Sequence, residues 1–282
     1  MVRIQPLSDV AGASVQGLDL REALHADQQQ MLADALHRFG FIVIKHQSLA
    51  PADLVRFARQ WGRPSPHVID TFHHPEDPNI LILSNVYKDG RPTGLVDAGT
   101  YFHSDYSYLD EPARCTILHA IDVPPAPNGT TFAQQARAYA DLPASTREKI
   151  AGLVVRHHYG NRDDLDQRSR TVASVLNEEQ AQRVHWVRHP LVRPHPWTGE
   201  PALYAVSGSA FGVEGLPDEE GLALLRELAA HATQARYCHT HHYENGDVIV
   251  WDNALLLHSA PLVDLSRPRT LWRVTVHYPS MG

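Results

Sequence analysis

The chain lacks the features that define several large classes of protein. Its 282 residues include only two cysteines, too few for a disulfide framework, so Cys115 and Cys238 are expected to be buried, reduced thiols. No apolar run could span a bilayer, since stretches such as FIVI (41–44) and VIVW (248–251) have the length of a strand. The N-terminus, MVRIQPLSDVAG, has neither the basic start nor the apolar stretch of a signal peptide, which predicts a cytoplasmic protein.

Basic runs are also missing, and the formal net charge is −7. Neither a nucleic acid nor an anionic membrane surface is therefore the expected partner. No internal repeat, linker or low-complexity stretch divides the chain. These absences predict one domain over residues 1–282, and a hydrophobic content of 43% is ample for its core.

Helical patterns are confined to a few segments. An apolar stripe predicts a helix over QQQMLADALHRF, with Asp27 as its cap and Gly40 as its end, and PADLVRFARQW predicts a second one. Helices are thus expected over about 27–62, and a late one over 218–233.

Most of the remaining chain reads as short strands separated by turn signals such as Asn-Gly at 128–129 and 245–246. The candidate strands are 79–85, 113–122, 201–206, 237–243, 247–252 and 270–278. Many short antiparallel strands, with helices placed around them, predict a mainly β fold with flanking helices: a double-stranded β-helix, or jelly-roll, barrel.

Histidine is abundant, with 19 copies, and it is the commonest metal ligand. Four histidines are followed two positions later by an acid, and three of these pairs have ordinary explanations as a helix cap or as polar turns. The pair His103/Asp105 differs, because alternation along a strand would send both side chains to one side, within a stretch of aromatic residues. Those aromatic residues are Tyr101, Phe102, Tyr106 and Tyr108.

A third metal ligand is expected on another strand, and DVIVWDNALLLHSAP offers His258. Taken alone, His258 could be a core histidine. Further on, Arg269 and Arg273 lie four residues apart on a predicted strand and share one face, opposite Trp272. Two guanidinium groups that face a barrel interior require anions, because an unpaired buried charge costs several kcal/mol.

Together these residues resemble the taurine dioxygenase and dichlorophenoxyacetate dioxygenase family of iron- and 2-oxoglutarate-dependent oxygenases. The matching segments are HSD at 103–105, PPAPNGTTF at 124–132, HPLVRPHPWTGEPALY at 189–204, GDVIVWDN at 246–253, His258, Arg269 and Arg273. The resemblance covers nearly the whole chain and implies an enzyme that uses Fe(II), 2-oxoglutarate and O2. It also implies a small organic substrate and a possible homodimer or homotetramer.

The resemblance assigns roles to individual residues. His103, Asp105 and His258 match a facial triad that holds Fe(II) and leaves positions open for the cosubstrate and O2. Arg269 matches the arginine that pairs with the distal carboxylate of 2-oxoglutarate. Thr131 matches the hydroxyl that helps hold this carboxylate, with Thr130 as the alternative by one position. Arg273 matches a position that contacts an anionic group of the substrate.

Substrate contacts are less well defined by the sequence. The loop stretch FHHP places His73 or His74 where a family histidine contacts substrate, and His74 is the one we assign, although a surface position is equally compatible. Tyr101 and Tyr106 could line the site or fill the core. The charged segment at about 157–180 matches a mobile lid or, alternatively, a solvated loop. HTHH at 239–242 is expected to form a surface strand.

The leading hypothesis is therefore an oxygenase that acts on a C–H bond of a small anionic substrate and releases succinate and CO2. Hydroxylation, desaturation and oxidative cleavage remain open. The alternative from another class is a jelly-roll protein that binds a small anion or a metal without catalysis. A zinc hydrolase and a serine hydrolase are disfavoured, since the chain has neither a His-Glu-x-x-His nor a Gly-x-Ser-x-Gly stretch.

Overall fold

The computed structural model describes residues 2–159 and 176–279 of the chain. Its helices are α1 Ala26–Phe39, α2 Pro51–Arg59, α3 Gln135–Ala140, α4 Ala144–Ile150, α5 Glu178–Ala181 and α6 Asp218–Ala232. Its strands are β1 Arg3–Pro6, β2 Ala13–Gln16, β3 Phe41–Ile44, β4 Arg63–Ser65, β5 His73–His74, β6 Asp77–Ser84, β7 Tyr87–Lys88, β8 Arg91–Pro92, β9 Ala113–Asp122, β10 Thr130–Gln134, β11 Val154–His157, β12 Val187–Pro190, β13 Val192–Pro194, β14 Pro201–Leu203, β15 Ala210–Val213, β16 Cys238–His241, β17 Val248–Asp252, β18 Leu256–Ser259 and β19 Thr270–His277.

Two facing sheets form the barrel. The major sheet has nine strands in the order β1-β2-β3-β17-β9-β19-β6-β5, with β4 paired to β19. The minor sheet contains β16, β10 and β18, all antiparallel. A third sheet, β12-β11-β15, lies outside this pair. The mainly β jelly-roll architecture predicted from the strand pattern is confirmed.

Alternation along the central strands separates two apolar cores. On β17, Val248 and Val250 pack with α1 and α2 on the outer face of the major sheet, whereas Ile249 and Trp251 pack toward the minor sheet. On β19, Leu271 lies on the inner face and Trp272 on the outer one. Since side chains alternate along a strand, Arg273 shares the inner face with Leu271, as the sequence predicts.

Local structure departs from the sequence-based predictions in two places. Asp27 does not cap α1 but lies in its first turn; His25 is the capping residue, and its backbone N–H donates to the Gln28 side chain at 2.9 Å. The segment HTHH is not a plain surface strand, since His241 is buried and its Nε2 lies 2.9 Å from Oδ2 of Asp247.

Cys115 is buried and Cys238 half-buried, and both are free thiols. Within the described part of the chain, no helix combines the length and the apolar character needed to cross a bilayer. Most of the segment assigned as a lid, residues 160–175, lies outside the described residues, so the lid stays a prediction.

Candidate active site

Three predicted metal ligands, His103, Asp105 and His258, meet between the two sheets. Their ligand atoms all lie within 4.8 Å of one another. The two imidazole rings, 4.1 Å apart between centroids, are brought together by their own backbones. The His103 N–H donates to the His258 carbonyl at 3.0 Å, and the His258 N–H donates to the His103 carbonyl at 2.8 Å. This reciprocal bridge joins the loop before β9 to β18.

The orientation of His103 is set by the loop around it. Its Nδ1 lies 2.9 Å from the Tyr101 carbonyl, which can only accept, so the ring proton is on Nδ1 and the Nε2 lone pair remains available. Gly99 packs against the same ring with φ of 66°. A Cβ at Gly99 would lie 2.5 Å from Cε1 and 3.1 Å from Nε2 of His103. Any residue other than glycine would therefore collide with the ring in this position.

Asp105 supplies the only negative charge of this triad. Its Oδ1 lies 3.7 Å from His103 Nε2, and its Oδ2 lies 3.6 Å from His258 Nε2. Burial alone would raise the pKa of Asp105, but the charge of Arg273 and the two imidazoles outweigh it and hold this pKa well below its usual range. An ionised carboxylate and two imidazole nitrogens form a donor set that fits Fe(II), so these residues can hold the metal.

A cavity opens beside the triad. It is lined by Leu83, Ala98, Gly99, His103, Leu118, Thr130, Tyr243, Trp251, His258, Ala260, Arg269 and Arg273. Its walls are apolar except for the metal ligands, two hydroxyl groups and the two arginines. Arg269 is 8% exposed, and burial lowers its pKa against the attraction of Tyr243 and Asp97. The cavity thus combines a metal site with a buried cation.

The hydroxyl predicted at Thr131 does not face this cavity. Thr131 lies on the other face of β10, where its Oγ1 is 2.7 Å from that of Thr240. Thr130 is 4% exposed, lines the cavity with Arg269 and shares a hydrogen bond with the Tyr243 hydroxyl. The choice of Thr131 over Thr130 is therefore wrong by one position, which reverses the face of a strand.

Arg273 lines the same cavity as Arg269. It is 8% exposed, and its Nη1 lies 3.5 Å from Oδ1 of Asp105. Tyr106, Tyr108 and Tyr159 lie close enough to act electrostatically on its guanidinium. Tyr106 is 2% exposed, and its hydroxyl donates to the Ser65 carbonyl at 3.3 Å. Two of the four aromatic residues predicted around the site, Tyr106 and Tyr108, therefore lie near Arg273.

Tyr101 packs against the metal triad itself. Its ring centroid lies 5.2 Å from that of His103, and its carbonyl holds the His103 ring, as described above. Tyr101 therefore lies beside His103, whereas Tyr106 lies near Arg273 and Asp105.

His74 does not reach the site. Its ring lies 4.8 Å from that of Trp272, on the outer face of the major sheet and opposite Arg273. The assignment of His74 to substrate binding is wrong for that reason.

Two other histidines lie closer to Arg273: His73, which pairs with Leu81 beside Arg273, and His67, which the sequence reasoning missed. Its ring is 6.0 Å from Tyr106 and 6.4 Å from Tyr159. Burial lowers the pKa of His67 to about 3, and the charge of Arg273 acts in the same direction. The Ile69 N–H donates to its Nδ1 at 3.1 Å, so the neutral ring carries its proton on Nε2 and can donate from there.

A second group of possible metal ligands, His37, His195 and Asp252, lies on the outer face of the major sheet. The positions of the imidazole protons disfavour metal binding at this group. The Thr198 N–H donates to Nδ1 of His195 at 3.1 Å, so His195 carries its proton on Nε2 and donates it to Asp252 at 2.9 Å. This nitrogen has no lone pair for a metal, and the pair is a satisfied structural hydrogen bond.

Comparisons with known proteins agree with the geometry. The family model described as "Taurine catabolism dioxygenase TauD, TfdA family" matches residues 3–275. The alpha-ketoglutarate-dependent 2,4-dichlorophenoxyacetate dioxygenase of Cupriavidus pinatubonensis is 32% identical, over 96% of both chains. The pentalenolactone F synthase of Streptomyces arenae is 27% identical, over 93% of this chain and 91% of that one. A crystal structure of AAD-2 in complex with Mn(II) and N-oxalylglycine covers 100% of both chains, with a TM-score of 0.82 and 26% identity.

The chain therefore belongs to the TauD/TfdA family. It is a 2-oxoglutarate-dependent non-haem iron dioxygenase, with Fe(II), 2-oxoglutarate and O2 as its cofactor and cosubstrates. The alternative of a non-catalytic jelly-roll protein loses its support, since the curated relatives named above are enzymes.

Proposed function

We propose that this dioxygenase oxidises, most simply by hydroxylation, a C–H bond of a small organic anion. The observation that carries the proposal is the position of Arg273, a buried guanidinium beside the metal ligands. Among the described residues, Asp105 is the only carboxylate within salt-bridge distance of it. A divalent metal ion bound to Asp105 would be partly neutralised by the same carboxylate that pairs with Arg273. Arg273 then requires another anion, because an unpaired buried charge is costly.

The remaining roles follow from the same geometry. His103, Asp105 and His258 hold Fe(II), which together with 2-oxoglutarate supplies the oxidising chemistry when bound. Arg269 pairs with the distal carboxylate of 2-oxoglutarate, with the Thr130 hydroxyl as a second donor. Both arginines line the cavity, but Arg269 has Tyr243 and Asp97 as electrostatic neighbours, whereas Arg273 has Asp105 and three tyrosines, so we assign them to two different anions. This division separates the cosubstrate from the substrate.

The surroundings of Arg273 favour an aromatic acid as the substrate. Tyr106, Tyr108 and Tyr159 offer ring faces and edges, and His67 offers an Nε2–H donor. The Cupriavidus relative is named for 2,4-dichlorophenoxyacetate, which combines an aromatic ring with a carboxylate. An aryloxy or aryl carboxylate would place its anion on Arg273 and its ring among the tyrosines.

Succinate release tests the proposal directly. Wild-type enzyme with Fe(II) and 2-oxoglutarate is incubated with aryloxyacetates, aliphatic carboxylates, sulfonates and matched neutral esters. We expect an anionic compound to raise succinate release above the substrate-free rate and to yield an oxidised product, while its ester does not. Stimulation by an ester equal to that by its acid would overturn the anionic assignment.

Two arginine variants then separate the two anion sites. We expect Arg273→Gln to raise the KM of the best acid at least about 10-fold, because a charge-assisted hydrogen bond contributes about 1.5–3 kcal/mol. The KM for 2-oxoglutarate should stay near its wild-type value. Arg269→Gln should show the reverse pattern. An unchanged KM for the acid in Arg273→Gln would remove this residue from substrate binding.

A further inference from the structure

We propose that Thr116 and Asn253 are positioning residues that fix the rotation of the Asp105 carboxylate for metal binding. Thr116 lies on β9 and Asn253 at the corner between β17 and β18, and neither has a role in the assignments above. The Thr116 hydroxyl donates to Oδ2 of Asp105 at 2.6 Å. The inference rests on the proposed iron ligands and extends them to the groups that orient one of them.

The direction of every hydrogen bond in this network is determined by its chemistry. The Trp251 Nε1–H and the Asp105 N–H each lie 3.2 Å from Oδ1 of Asn253. Both groups can only donate, so the Asn253 oxygen must be the atom that faces them. The Asn253 amide nitrogen then faces Oγ1 of Thr116 at 3.1 Å and donates to it. Thr116 accepts that bond and directs its own proton to Asp105.

Asn253 is itself held at both backbone groups. Its N–H donates to the Arg114 carbonyl at 3.0 Å, and its carbonyl accepts from the Ser104 hydroxyl at 2.8 Å. Ser104 is the residue before Asp105, so the corner and the metal-binding loop are joined twice. The amide of Asn253 therefore cannot turn without breaking several bonds.

Water cannot replace these bonds, because the network is closed to solvent. Thr116 is 0% exposed, Asn253 1% and Asp105 4%. Hydrogen bonds are stronger in such surroundings, and a buried group left without a partner destabilises the protein. The orientation of the carboxylate is thus imposed by the protein before a metal arrives.

Arg273 shows why a fixed carboxylate matters. Its guanidinium lies 3.5 Å from Oδ1 of Asp105, a distance longer than a good charge-assisted hydrogen bond. Without the Thr116 hydroxyl, the carboxylate is free to rotate and close a tighter pair with Arg273. Such a pair would compete with the metal for the same oxygen atoms. Thr116 prevents this competition by holding Oδ2.

Metal affinity tests the inference without relying on turnover. Thr116→Val keeps the shape of the side chain and removes the hydroxyl. We expect its dissociation constant for Co(II), measured by anaerobic titration of the visible absorption, to rise about 10- to 100-fold, as for other groups that orient metal ligands. Thr116→Ser returns the hydroxyl and should restore the constant to near the wild-type value, which a purely packing role would not do.

Two reference variants make the result interpretable. Thr270→Val removes a hydroxyl that lies 3.0 Å from that of Ser84 and should leave Co(II) affinity unchanged. His258→Ala removes a proposed ligand and should abolish tight binding. If His258→Ala loses binding while Thr116→Val binds as tightly as wild type, the inference fails and the ligand set stands. If both bind normally, the ligand set itself is wrong.

Should Thr116→Val not fold, as judged by circular dichroism, Thr116→Ala serves instead. A folded Thr116→Ala with wild-type Co(II) affinity overturns the inference, and a weakened affinity rescued by serine supports it.

Discussion

Two adjacent hydroxyl groups on β10 give a matched test of the cosubstrate site. Thr130→Val removes the hydroxyl that faces the cavity beside Arg269, whereas Thr131→Val removes one that contacts Thr240 outside it. We expect Thr130→Val to raise the KM for 2-oxoglutarate about 10-fold, since a hydrogen bond to a charged group contributes about 1.5–3 kcal/mol. Thr131→Val should stay close to wild type. Steady-state succinate release measures the KM for 2-oxoglutarate of each variant. Equal KM values for the two variants would exclude Thr130 from the 2-oxoglutarate site.

The role of a single residue can be predicted where its spacing from other polar residues and the type of its sequence neighbours indicate the same function. His103, Asp105 and His258 stand out because one short pair and one distant histidine precede two arginines on a strand. His67 was missed because three histidines lie within residues 67–74 and no local pattern distinguishes them. Only the packing of the loop before β5 shows that His67 faces Tyr106 while His74 faces Trp272.

The bounds of individual strands could be predicted from the sequence only in part. The strand at 113–122 was predicted with the bounds that the structure shows, because a long β-branched and apolar run has clear turn signals at its ends. The bounds of shorter strands were predicted less accurately. PALYAV was predicted as a strand over 201–206, but β14 ends at Leu203. The choice between Thr130 and Thr131 failed for a related reason, since the face of a strand depends on a register that only pairing with β16 and β18 defines.

The loop before the first metal ligand provides a prediction at this level. Gly99 and Gly90 both have positive φ, 66° and 75°, so alanine strains the backbone at either position. Only at Gly99 does the new Cβ meet a side chain, at 2.5 Å from His103, whereas at Gly90 it meets nothing within 4 Å. We therefore expect Gly99→Ala to weaken Co(II) binding strongly and Gly90→Ala to leave it unchanged.

Anaerobic Co(II) titrations of both variants provide the measurement. Similar affinities in the two proteins would mean that the His103 ring adapts to the added methyl group, and that Gly99 is not needed to position it.

For the molecule as a whole, the sequence indicates the fold class but not the order of the strands. Short antiparallel strands with flanking helices predict a jelly roll, and the resemblance to a known family strengthens this. The pairing of β3 with β17 joins segments about 200 residues apart, and no local pattern contains that information. The assignment of strands to two sheets therefore had to come from tertiary packing.

A buried charge cluster connects the two sheets and predicts how stability depends on pH. Lys45 follows β3, His241 ends β16, and both contact Asp247 just before β17, at 2.7 and 2.9 Å. Burial alone would raise the pKa of Asp247, but its hydrogen bonds with His241 and Lys45 outweigh it and lower this pKa. The carboxylate therefore stabilises the fold above its unfolded pKa of about 4, and this contribution is lost as the pH falls further.

We expect Asp247→Asn to lower the free energy of unfolding by about 3 kcal/mol at pH 7, because it removes the buried negative charge that Lys45 and His241 contact and leaves Glu244 as the remaining acidic partner of Lys45. The difference from wild type should shrink as the pH falls below about 4. Urea unfolding at several pH values measures it. Asp19→Asn is the control, since Asp19 pairs with Arg21 at an exposed position, where such pairs contribute little to stability. A difference that grows on acidification would contradict the assigned role of Asp247.

The two backbone hydrogen bonds between His103 and His258 allow the substrate selectivity of this enzyme to be changed separately from its metal site. The spacing of the two imidazoles is set by hydrogen bonds between main-chain atoms, which every amino acid possesses, and not by the tyrosine side chains near Arg273. Libraries that randomise the tyrosines near Arg273 should therefore yield many members that still load iron. In this architecture, selectivity can be altered while the reactive centre keeps its geometry.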